Sequence, residues 1–309
     1  MKNKKIVVTG GAGFIGSNLV RKLYQDNEVI IIDNLSTGKH ENMEDFIDDI
    51  KFVKGDILDI DLLKKTFNEA DYVFHEAAVV SVSKSIKDPA FTNNVNINGT
   101  LMVIMAAKEI GVKKIVFASS SAVYGDQKKL PINEETQLNP LSPYATSKIA
   151  GEYLCEEIND LGILQTVALR YFNVFGPFQD PKGDYAAVIP KFIDNIINGQ
   201  PLTIYGDGSQ TRDFIYVDDV VNANIFAAEK NITGNYNIAS GNSISVNQLA
   251  EILLKVSNKQ NKILYDKPRP GDILHSQADI TKIKKAGFEL SYYIDKGLKN
   301  TYEWFQEKN

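Results

Sequence analysis

The chain has 309 residues, of which 43% are hydrophobic and 24% are charged, so it is long enough for one large domain and a smaller one. Its net charge of -5 argues against binding nucleic acid or an anionic membrane through a broad basic surface. A single cysteine and three scattered histidines exclude an internal disulfide and predict no metal centre. Short apolar runs and the lack of an apolar leader predict a cytoplasmic protein without a membrane span.

Residues 4–169 alternate short β-branched runs with longer amphipathic segments. The runs KKIVVT, EVIIID, DYVFHEA and KKIVFASS are typical of buried parallel strands, and the segments between them have helical spacing. This alternation indicates βαβ units. We therefore predict an α/β fold with a doubly wound parallel sheet of the Rossmann type.

Beyond residue 170 the alternation stops, and glycine, proline and tyrosine become frequent. The remaining segments are predicted as a helix at 188–198, a loop-rich stretch at 201–211, a helix at 218–229, and strands at 235–238 and 263–265. The end of the chain is mostly helical in pattern. The helix at 218–229 and the strand at 235–238 are expected to return to the sheet, and the other segments predict a smaller mixed C-terminal domain that binds the substrate. We assign residues 1–171 plus 213–239 to the nucleotide domain, and residues 172–212 plus 240–309 to the substrate domain.

A glycine-rich turn follows the first predicted strand, with Gly10, Gly13 and Gly16 before an amphipathic segment. Glycines at this spacing permit a tight turn and bring backbone amides close to a diphosphate at a helix N-terminus. Asp33 ends the second predicted strand, where a carboxylate can accept both ribose hydroxyl protons and would repel a 2′-phosphate. The combination predicts a dinucleotide site that prefers NAD to NADP.

A second motif places Tyr144 and Lys148 four residues apart at the start of a predicted helix, so that both side chains share one face. A nearby ammonium stabilises a phenolate, so we expect a lowered Tyr144 pKa and a general base. The serine run at residues 119–121 ends a predicted central strand, where a hydroxyl can hydrogen-bond a reacting oxygen. Together with the glycine turn, these residues predict proton and hydride transfer.

These motifs resemble those of the extended short-chain dehydrogenase/reductases, and in particular of their UDP-glucose/UDP-N-acetylglucosamine 4-epimerases. The resemblance rests on TGGAGFIG at 9–16, on the Tyr144/Lys148 pair, on LRYFNVFGP at 169–177 and on RDFIYVDD at 212–219. It covers essentially the whole chain. It implies an NAD-dependent UDP-hexose 4-epimerase that keeps its NAD and works through a 4-keto sugar. It also implies a homodimer formed through a four-helix bundle.

The resemblance also implies roles for individual residues. Ser120, Tyr144 and Lys148 match the catalytic residues, and Ser120 and Tyr144 are expected to touch the sugar as well. The residues expected to contact NAD are Gly10, Gly13, Phe14, Ile15, Gly16, Asp33, Asn34, Gly38, Asp56, Ile57, Ala77, Ala78, Asn96, Tyr144, Lys148 and Tyr171. Those expected to hold the UDP moiety are Asn173, Val188, Tyr205, Arg212, Arg269 and Asp272.

Related enzymes with the same motifs perform other reactions. The residues after Ser120 distinguish these enzymes from the epimerases. The 4,6-dehydratases carry an Asp-Glu pair after the catalytic residue, and the decarboxylating enzymes carry a Glu at the second of these places. Here the two places hold Ser121 and Ala122, which disfavours elimination and decarboxylation. A non-catalytic NAD-binding sensor is disfavoured because Tyr144 and Lys148 are both present.

The choice of UDP-sugar depends on one further position. In the epimerases a bulky residue seven places after the substrate-binding arginine restricts the sugar pocket, and the matching residue here is Ser276. We therefore expect UDP-GlcNAc and UDP-GalNAc to be accepted, together with UDP-Glc and UDP-Gal. A UDP-glucuronate 4-epimerase or another UDP-sugar-modifying relative stays open, because the sequence does not fix the contacts to C6.

Overall fold

The computed structural model of the protein describes residues 1–182, 187–268 and 273–308. Within these residues the chain forms two compact units. The first unit comprises Met1–Val123, Leu138–Tyr171 and Val221–Tyr236, and the second comprises Tyr124–Gln137, Phe172–Val220 and Asn237–Asn309. The limits of the two predicted domains differ from these units at residues 124–137, 213–220 and 237–239. The predicted limits remain a prediction.

The first unit is built on a seven-stranded sheet, which confirms the predicted fold class. Its strands are β1 (Lys5–Thr9), β2 (Glu28–Asp33), β3 (Lys51–Lys54), β4 (Tyr72–His75), β5 (Lys114–Ser120), β6 (Gln165–Tyr171) and β11 (Gly234–Ile238). They lie in the order β11-β6-β5-β4-β1-β2-β3, and the pairs from β6 to β3 are all parallel. The order reverses between β1 and β4, so the carboxyl ends of these strands border a ligand crevice.

Helices cover both faces of this sheet. The helices here are α1 (Phe14–Leu23), α2 (Ile60–Phe67), α3 (Val82–Lys87), α4 (Pro89–Asn93), α5 (Gly99–Ile110), α6 (Pro143–Asp160) and α8 (Val217–Glu229), of which α3 and α4 pack against α6. Because both faces are covered, the strand residues are apolar in succession rather than in alternation; Ile6, Val7 and Val8 are all fully buried. This explains why the β-branched runs identified the strands so clearly.

One helical stretch of the first unit is interrupted. The stretch at 91–108 has a helical pattern, but residues Asn94–Asn98 form a π-helical turn between α4 and α5. Such turns bulge one residue out of the regular ladder and occur frequently at functional positions. The residue placed at this turn is Asn96, which is only 3% exposed.

The second unit combines short strands with helices. These are β7 (Val174–Phe175), α7 (Val188–Ile197), β8 (Leu202–Tyr205), β9 (Thr211–Asp213), β10 (Ile215–Tyr216), β12 (Ser243–Ser245), α9 (Val246–Ser257), β13 (Ile263–Asp266), α10 (Thr281–Lys285) and α11 (Ile294–Lys308). The strands pair two by two, as β10 with β7, β12 with β9 and β13 with β8. Residues 201–211, expected as loop, therefore contain a strand, because β13 supplies the hydrogen-bonding partner for β8.

Three further observations concern membrane spans, metal ligands and the single cysteine. In the described ranges, no helix combines the length and the apolar character that crossing a membrane requires, and no group of histidine, cysteine and acidic residues could hold a metal ion. Cys155 on α6 is 3% exposed, and burial raises the pKa of its thiol to about 12. The thiol is therefore a packing group and not a nucleophile.

Candidate active site

The glycine turn between β1 and α1 has the geometry of an anion site. Gly10 has φ +73°, and a Cβ there would lie 2.7 Å from the backbone nitrogen of Ala77. Gly13 precedes α1, and no side chain caps the first turn of this helix. A helix N-terminus without a cap leaves amide donors and a positive dipole end for an anionic ligand, such as the diphosphate of a dinucleotide.

Asp33 lies at the carboxyl end of β2, and its carboxylate is fixed by two backbone amides. The Ala12 amide donates to Oδ2 at 3.0 Å, and the Leu35 amide donates to Oδ1 at 2.8 Å. Burial raises the pKa of Asp33, and the two amide bonds act against that rise. A Cβ on Gly38 would lie 2.9 Å from both carboxylate oxygens, so the glycine keeps space beside them that a ribose can use.

Three more of the residues expected to contact NAD, Asn34, Asp56 and Ile57, lie in the loops after β2 and β3. Asn34 donates to Oδ2 of Asp56 at 2.9 Å, which joins the loops after β2 and β3. Ile57 packs on Gly99, where a Cβ would lie 2.5 Å from its Cδ1. The turn, the Asp33 carboxylate and these loops all lie at the carboxyl ends of the strands. Their donors, acceptors and free space fit an adenine dinucleotide.

Asn96 is engaged with the protein through both ends of its amide. Its Oδ1 accepts from the Val79 amide at 2.7 Å, and its Nδ2 donates to the Val79 carbonyl at 3.1 Å and to Ser147 Oγ at 2.9 Å. Both amide protons are therefore used inside the protein. The side chain ties the loop after β4 to helix α6, and its expected contact with NAD stays a prediction.

The predicted catalytic residues lie together at the start of α6 and the end of β5. Ser142 caps α6 by accepting from the Ala145 amide at 3.2 Å. The helix then buries Tyr144 and Lys148, which are 9% and 4% exposed, and Ser120 lies close enough to the Tyr144 side chain to lower its pKa. Lys148 Nζ donates to the Ala118 carbonyl at 2.7 Å and lies 5.9 Å from the centre of the Tyr144 ring.

The electrostatics of this group differ from the expectation in one respect. The sequence predicts a lowered Tyr144 pKa, but burial raises it, and only the hydrogen bond from Ser120 lowers it. The reason is desolvation, which disfavours the phenolate more strongly than local groups stabilise it. Burial also lowers the pKa of Lys148 to about 8, while the charges of Glu76 and Glu152 raise it.

A buried ion pair between α6 and β6 was not predicted from the sequence. Arg170 on β6 donates to both carboxylate oxygens of Glu152 on α6, at 2.8 Å and 2.7 Å, and Ser119 also hydrogen-bonds to this carboxylate. Both members of the ion pair are almost fully buried. Removing one member of such a pair leaves an uncompensated charge and costs about 3–5 kcal/mol. The pair therefore fixes α6, and with it Tyr144 and Lys148, against the sheet.

A second carboxyl was also missed. Glu76 directly follows β4, and its Oε1 accepts from the Tyr171 hydroxyl at 2.9 Å. Tyr171 also contacts Asn224 on α8. The one signal in the sequence was a charged residue at the end of an otherwise apolar strand. Tyr171, expected near the nicotinamide, is thus part of a polar cluster at the carboxyl end of the sheet.

The second unit contains a cavity of about 300 Å³ lined by four of the residues expected to hold UDP: Asn173, Val188, Tyr205 and Arg212. Asn173 Nδ2 donates to the Asp213 carbonyl at 2.9 Å, and Arg212 Nη1 donates to the Thr211 carbonyl at 2.9 Å. A guanidinium beside aromatic and amide groups suits a nucleoside diphosphate.

Three more predicted positions concern the substrate. Ser276 is partly buried, and its amide donates to the Thr211 carbonyl at 3.1 Å, next to Arg212. Arg269 and Asp272 lie outside the described residues.

Comparison with known proteins identifies relatives over the whole chain. Residues 6–239 match the family described as "NAD dependent epimerase/dehydratase family". A solved UDP-N-acetylglucosamine 4-epimerase from Methanobrevibacter ruminantium M1, in complex with UDP-N-acetylmuramic acid, is 45% identical with a TM-score of 0.97, and the match covers 100% of both chains. A Thermotoga maritima UDP-glucose 4-epimerase with UDP-glucose is 39% identical with a TM-score of 0.93, covering 98% and 99%. The Mycolicibacterium smegmatis UDP-glucose 4-epimerase is 36% identical, covering 99% of each chain.

Proposed function

The chain belongs to the NAD dependent epimerase/dehydratase family, and from this premise we propose that it interconverts UDP-GlcNAc and UDP-GalNAc, and also UDP-Glc and UDP-Gal. NAD is its cofactor. The reaction type is inferred from the cluster of Ser120, Tyr144 and Lys148. The two positions after Ser120 are occupied by Ser121 and Ala122 and not by acidic residues. A proton-transfer group without an acid for elimination suits epimerisation.

Activity on the N-acetylated pair is supported by two observations. The small side chain of Ser276 leaves room for an N-acetyl group according to the pattern of the epimerases. The relative that is 45% identical over the whole chain is a UDP-N-acetylglucosamine 4-epimerase.

The proposed mechanism assigns the proton to Tyr144. NAD, when bound, supplies the reversible two-electron oxidation of the sugar at C4. Tyr144 accepts the proton of the 4-hydroxyl as the 4-keto sugar forms, and it returns the proton after the sugar has turned over. Lys148 lies beside the phenol with its ammonium fixed by the Ala118 carbonyl, and Ser120 lies on the same phenol and lowers its pKa. A positioned acid–base group of this kind contributes about 10²–10⁴-fold to a rate.

The UDP moiety is assigned to the cavity of the second unit. Arg212 offers charged donors for the diphosphate, and Tyr205 offers a ring face for uracil. Arg269 and Asp272 complete the proposed set on the basis of the resemblance. The UDP moiety is the same in all these substrates. Its binding energy holds the substrate while the sugar rotates.

We also propose that the protein is a homodimer. Helices α3 to α6 and the turn after α6 carry large apolar side chains that are 41–65% exposed. These residues are Val82, Ile86, Phe91, Met105, Tyr153 and Leu161. A concentration of exposed apolar groups on neighbouring helices is typical of an interface.

The proposal is tested by incubating the purified protein, without added NAD, with UDP-GlcNAc, UDP-Glc and UDP-glucuronate separately, and resolving the 4-epimers by chromatography. We expect conversion of UDP-GlcNAc and UDP-Glc, with Tyr144→Phe reducing the rate at least about 100-fold. Conversion of UDP-glucuronate alone would identify a uronic-acid epimerase. Failure to convert any of the three, even with NAD supplied, would refute the proposed function.

A further inference from the structure

His75 is a buried polar residue that the proposed mechanism does not use. It ends β4, opposite Thr9 at the end of the neighbouring strand β1, and it is only 1% exposed. Its Nδ1 lies 2.7 Å from the Thr9 hydroxyl, and its Nε2 lies 2.9 Å from the Thr100 hydroxyl. Thr9 leads directly into the glycine turn, and Thr100 lies in the first turn of α5, just after the π-helical turn. The imidazole therefore joins the strand before the glycine turn to the helix after the π-helical turn.

The protons available to these groups fix the direction of the hydrogen bonds. A threonine hydroxyl has one proton, and Thr100 donates it to the Asn96 carbonyl at 2.6 Å, because a carbonyl can only accept. Thr100 must then accept from His75, so the ring proton lies on Nε2. Burial favours a neutral ring, whose Nδ1 is an acceptor. Thr9 therefore donates to Nδ1, and its oxygen accepts from the Ala77 amide at 3.4 Å.

The hydrogen bonds continue from Asn96 to α6. Asn96 Nδ2 donates to Ser147 Oγ at 2.9 Å, and Ser147 donates to the Tyr144 carbonyl at 2.8 Å. The side chains involved, here called the His75 chain, belong to Thr9, His75, Thr100, Asn96 and Ser147, each of which is at most 3% exposed. Because solvent cannot replace a lost partner at such depth, each bond constrains the next one. The His75 chain thus runs without a gap from the glycine turn to the backbone of Tyr144.

We propose that His75 is a positioning residue that couples the glycine turn to the helix bearing Tyr144 through this chain. The turn is the predicted seat of the dinucleotide diphosphate, and Tyr144 is the proposed base. The chain keeps the hydride acceptor and the proton acceptor in register while the sugar turns over. A displacement of about 1 Å in such a site lowers a rate by up to about 100-fold. The inference rests on the proposed function only in taking Tyr144 as the group that exchanges a proton with the sugar.

The first test is nitrogen-15 NMR of the histidine ring in the NAD-loaded protein. The chain has three histidines, of which His40 and His275 are exposed, so His40→Gln combined with His275→Gln leaves His75 as the one source of ring signals. We expect a protonated Nε2 and an unprotonated Nδ1, both constant from about pH 6 to about pH 9, although a free histidine titrates at about pH 6.5. A proton on Nδ1 would overturn the proposal, because Thr100 could not then hold Asn96.

Thr100→Val cuts the His75 chain, because valine keeps the branched shape of threonine and lacks its hydroxyl. We expect both ring signals of His75 to move and kcat at saturating NAD to fall about tenfold, while KM for the UDP-sugar stays within about twofold. Thr100→Ser restores the hydroxyl on a smaller side chain, so kcat should stay within about twofold of the parent value. Equal losses in the two variants would assign the effect to side-chain volume and overturn the proposal.

The matched control is Thr66→Val in the same unit. Thr66 on α2 is 5% exposed, and its hydroxyl donates to the Leu62 carbonyl at 2.8 Å. This bond runs four residues back along a helix, as does the bond from Thr100 to Asn96, but it lies outside the His75 chain. We expect Thr66→Val to leave the ring signals and kcat unchanged. A fall in kcat as large as that of Thr100→Val would indicate a general structural effect and contradict the positioning role.

A double-mutant cycle measures the coupling itself. Thr9→Val cuts the chain on the other side of His75, and we expect it also to lower kcat about tenfold. One cut already uncouples the turn from α6, so Thr9→Val combined with Thr100→Val should lower kcat no further than the larger single loss. Losses that multiply to about 100-fold would mean two independent sites and would overturn the coupling.

Two readouts need no substrate, namely the ring signals of His75 and the rate at which NAD dissociates. A parent protein that epimerises no UDP-sugar would reject the proposed function, and these two readouts would then decide the inference. We expect Thr9→Val and Thr100→Val to accelerate NAD dissociation about equally, and Thr66→Val to leave it unchanged. Acceleration by Thr9→Val alone would show that the glycine turn is not coupled through His75 to the π-helical turn.

Discussion

Ser276 has a side chain too small to close the proposed sugar pocket, and this residue carries the prediction of substrate choice. Replacing it with tyrosine adds a ring at a position whose backbone is fixed by the Thr211 carbonyl. We expect Ser276→Tyr to lower kcat/KM for UDP-GlcNAc at least about tenfold, which corresponds to ~1.4 kcal/mol, and to affect UDP-Glc much less. Parallel assays on the two substrates measure this ratio.

The control for this change is Ser291→Tyr, an exposed position in the same unit. It adds the same ring to the surface and should leave the ratio of the two substrates unchanged. An equal loss on UDP-GlcNAc and UDP-Glc in Ser276→Tyr would mean that Ser276 does not select the sugar.

Residues with local partners were predictable from the sequence, and those with distant partners were not. Tyr144 and Lys148 are four residues apart on one helix, so their proximity follows from helical geometry. Glu152 meets Arg170 from another element, and Glu76 meets Tyr171 from a strand two positions away in the sheet. No local pattern specifies such a partner. The lowered Tyr144 pKa was predicted wrongly because burial cannot be read from spacing.

The turn between β1 and α1 requires glycine because the backbone leaves too little space for a side chain at one of its positions. A Cβ on Gly16 would lie 2.2 Å from the Gly10 carbonyl oxygen, whereas a Cβ on Gly13 would lie 3.1 Å from that atom. Alanine normally favours a helix over glycine by about 1 kcal/mol. At Gly16 the collision with backbone outweighs this gain.

We therefore expect Gly16→Ala to lower the melting temperature and to release NAD, whereas Gly13→Ala, its matched partner, has a clearly smaller effect on the melting temperature. Thermal unfolding and the NAD content of the purified proteins test both changes. If the two variants lost the same stability, close packing at Gly16 could not be the reason for its glycine.

Among the elements, the buried strands and the long helices were predictable, because continuous β-branched runs and helical periodicity are strong local signals. The π-helical turn at Asn94–Asn98 was not, since Asn96 in this turn is held by hydrogen bonds with Val79 and Ser147, which lie in other elements. Strand β8 was not predicted either. It forms because β13 lies beside it, and this pairing joins segments about 60 residues apart.

At the scale of the whole molecule, the exposed apolar side chains of α3 to α6 predict the oligomeric state. We expect the protein to have the mass of a dimer in light scattering, and Met105→Glu combined with Tyr153→Glu to have the mass of a monomer. Two buried charges facing each other across an interface are strongly unfavourable. The matched control is Tyr293→Glu in the second unit, where the side chain is 87% exposed and the dimer should persist. A monomeric parent protein would contradict the proposed dimer.

The class of the whole molecule followed from composition and from the order of its elements. The alternation of strand and helix patterns specified the doubly wound sheet, which seven strands confirm. The extent of each compact unit was harder to predict, because residues 124–137 lie early in the chain and yet belong with the second unit. The bridge from Ile132 to Ala278 accounts for this placement, since it links them to a part of the chain far from them in sequence.

The buried Cys155 has a practical consequence. Since it is the one cysteine of the sequence and its thiol is almost inaccessible, maleimide reagents should leave the folded protein unlabelled. A cysteine introduced on the surface would then be the thiol that reacts, so Cys155 would not have to be replaced first. Fluorophores or spin labels could be attached in this way to each compact unit, and the distance between two such labels could be followed as substrate is added.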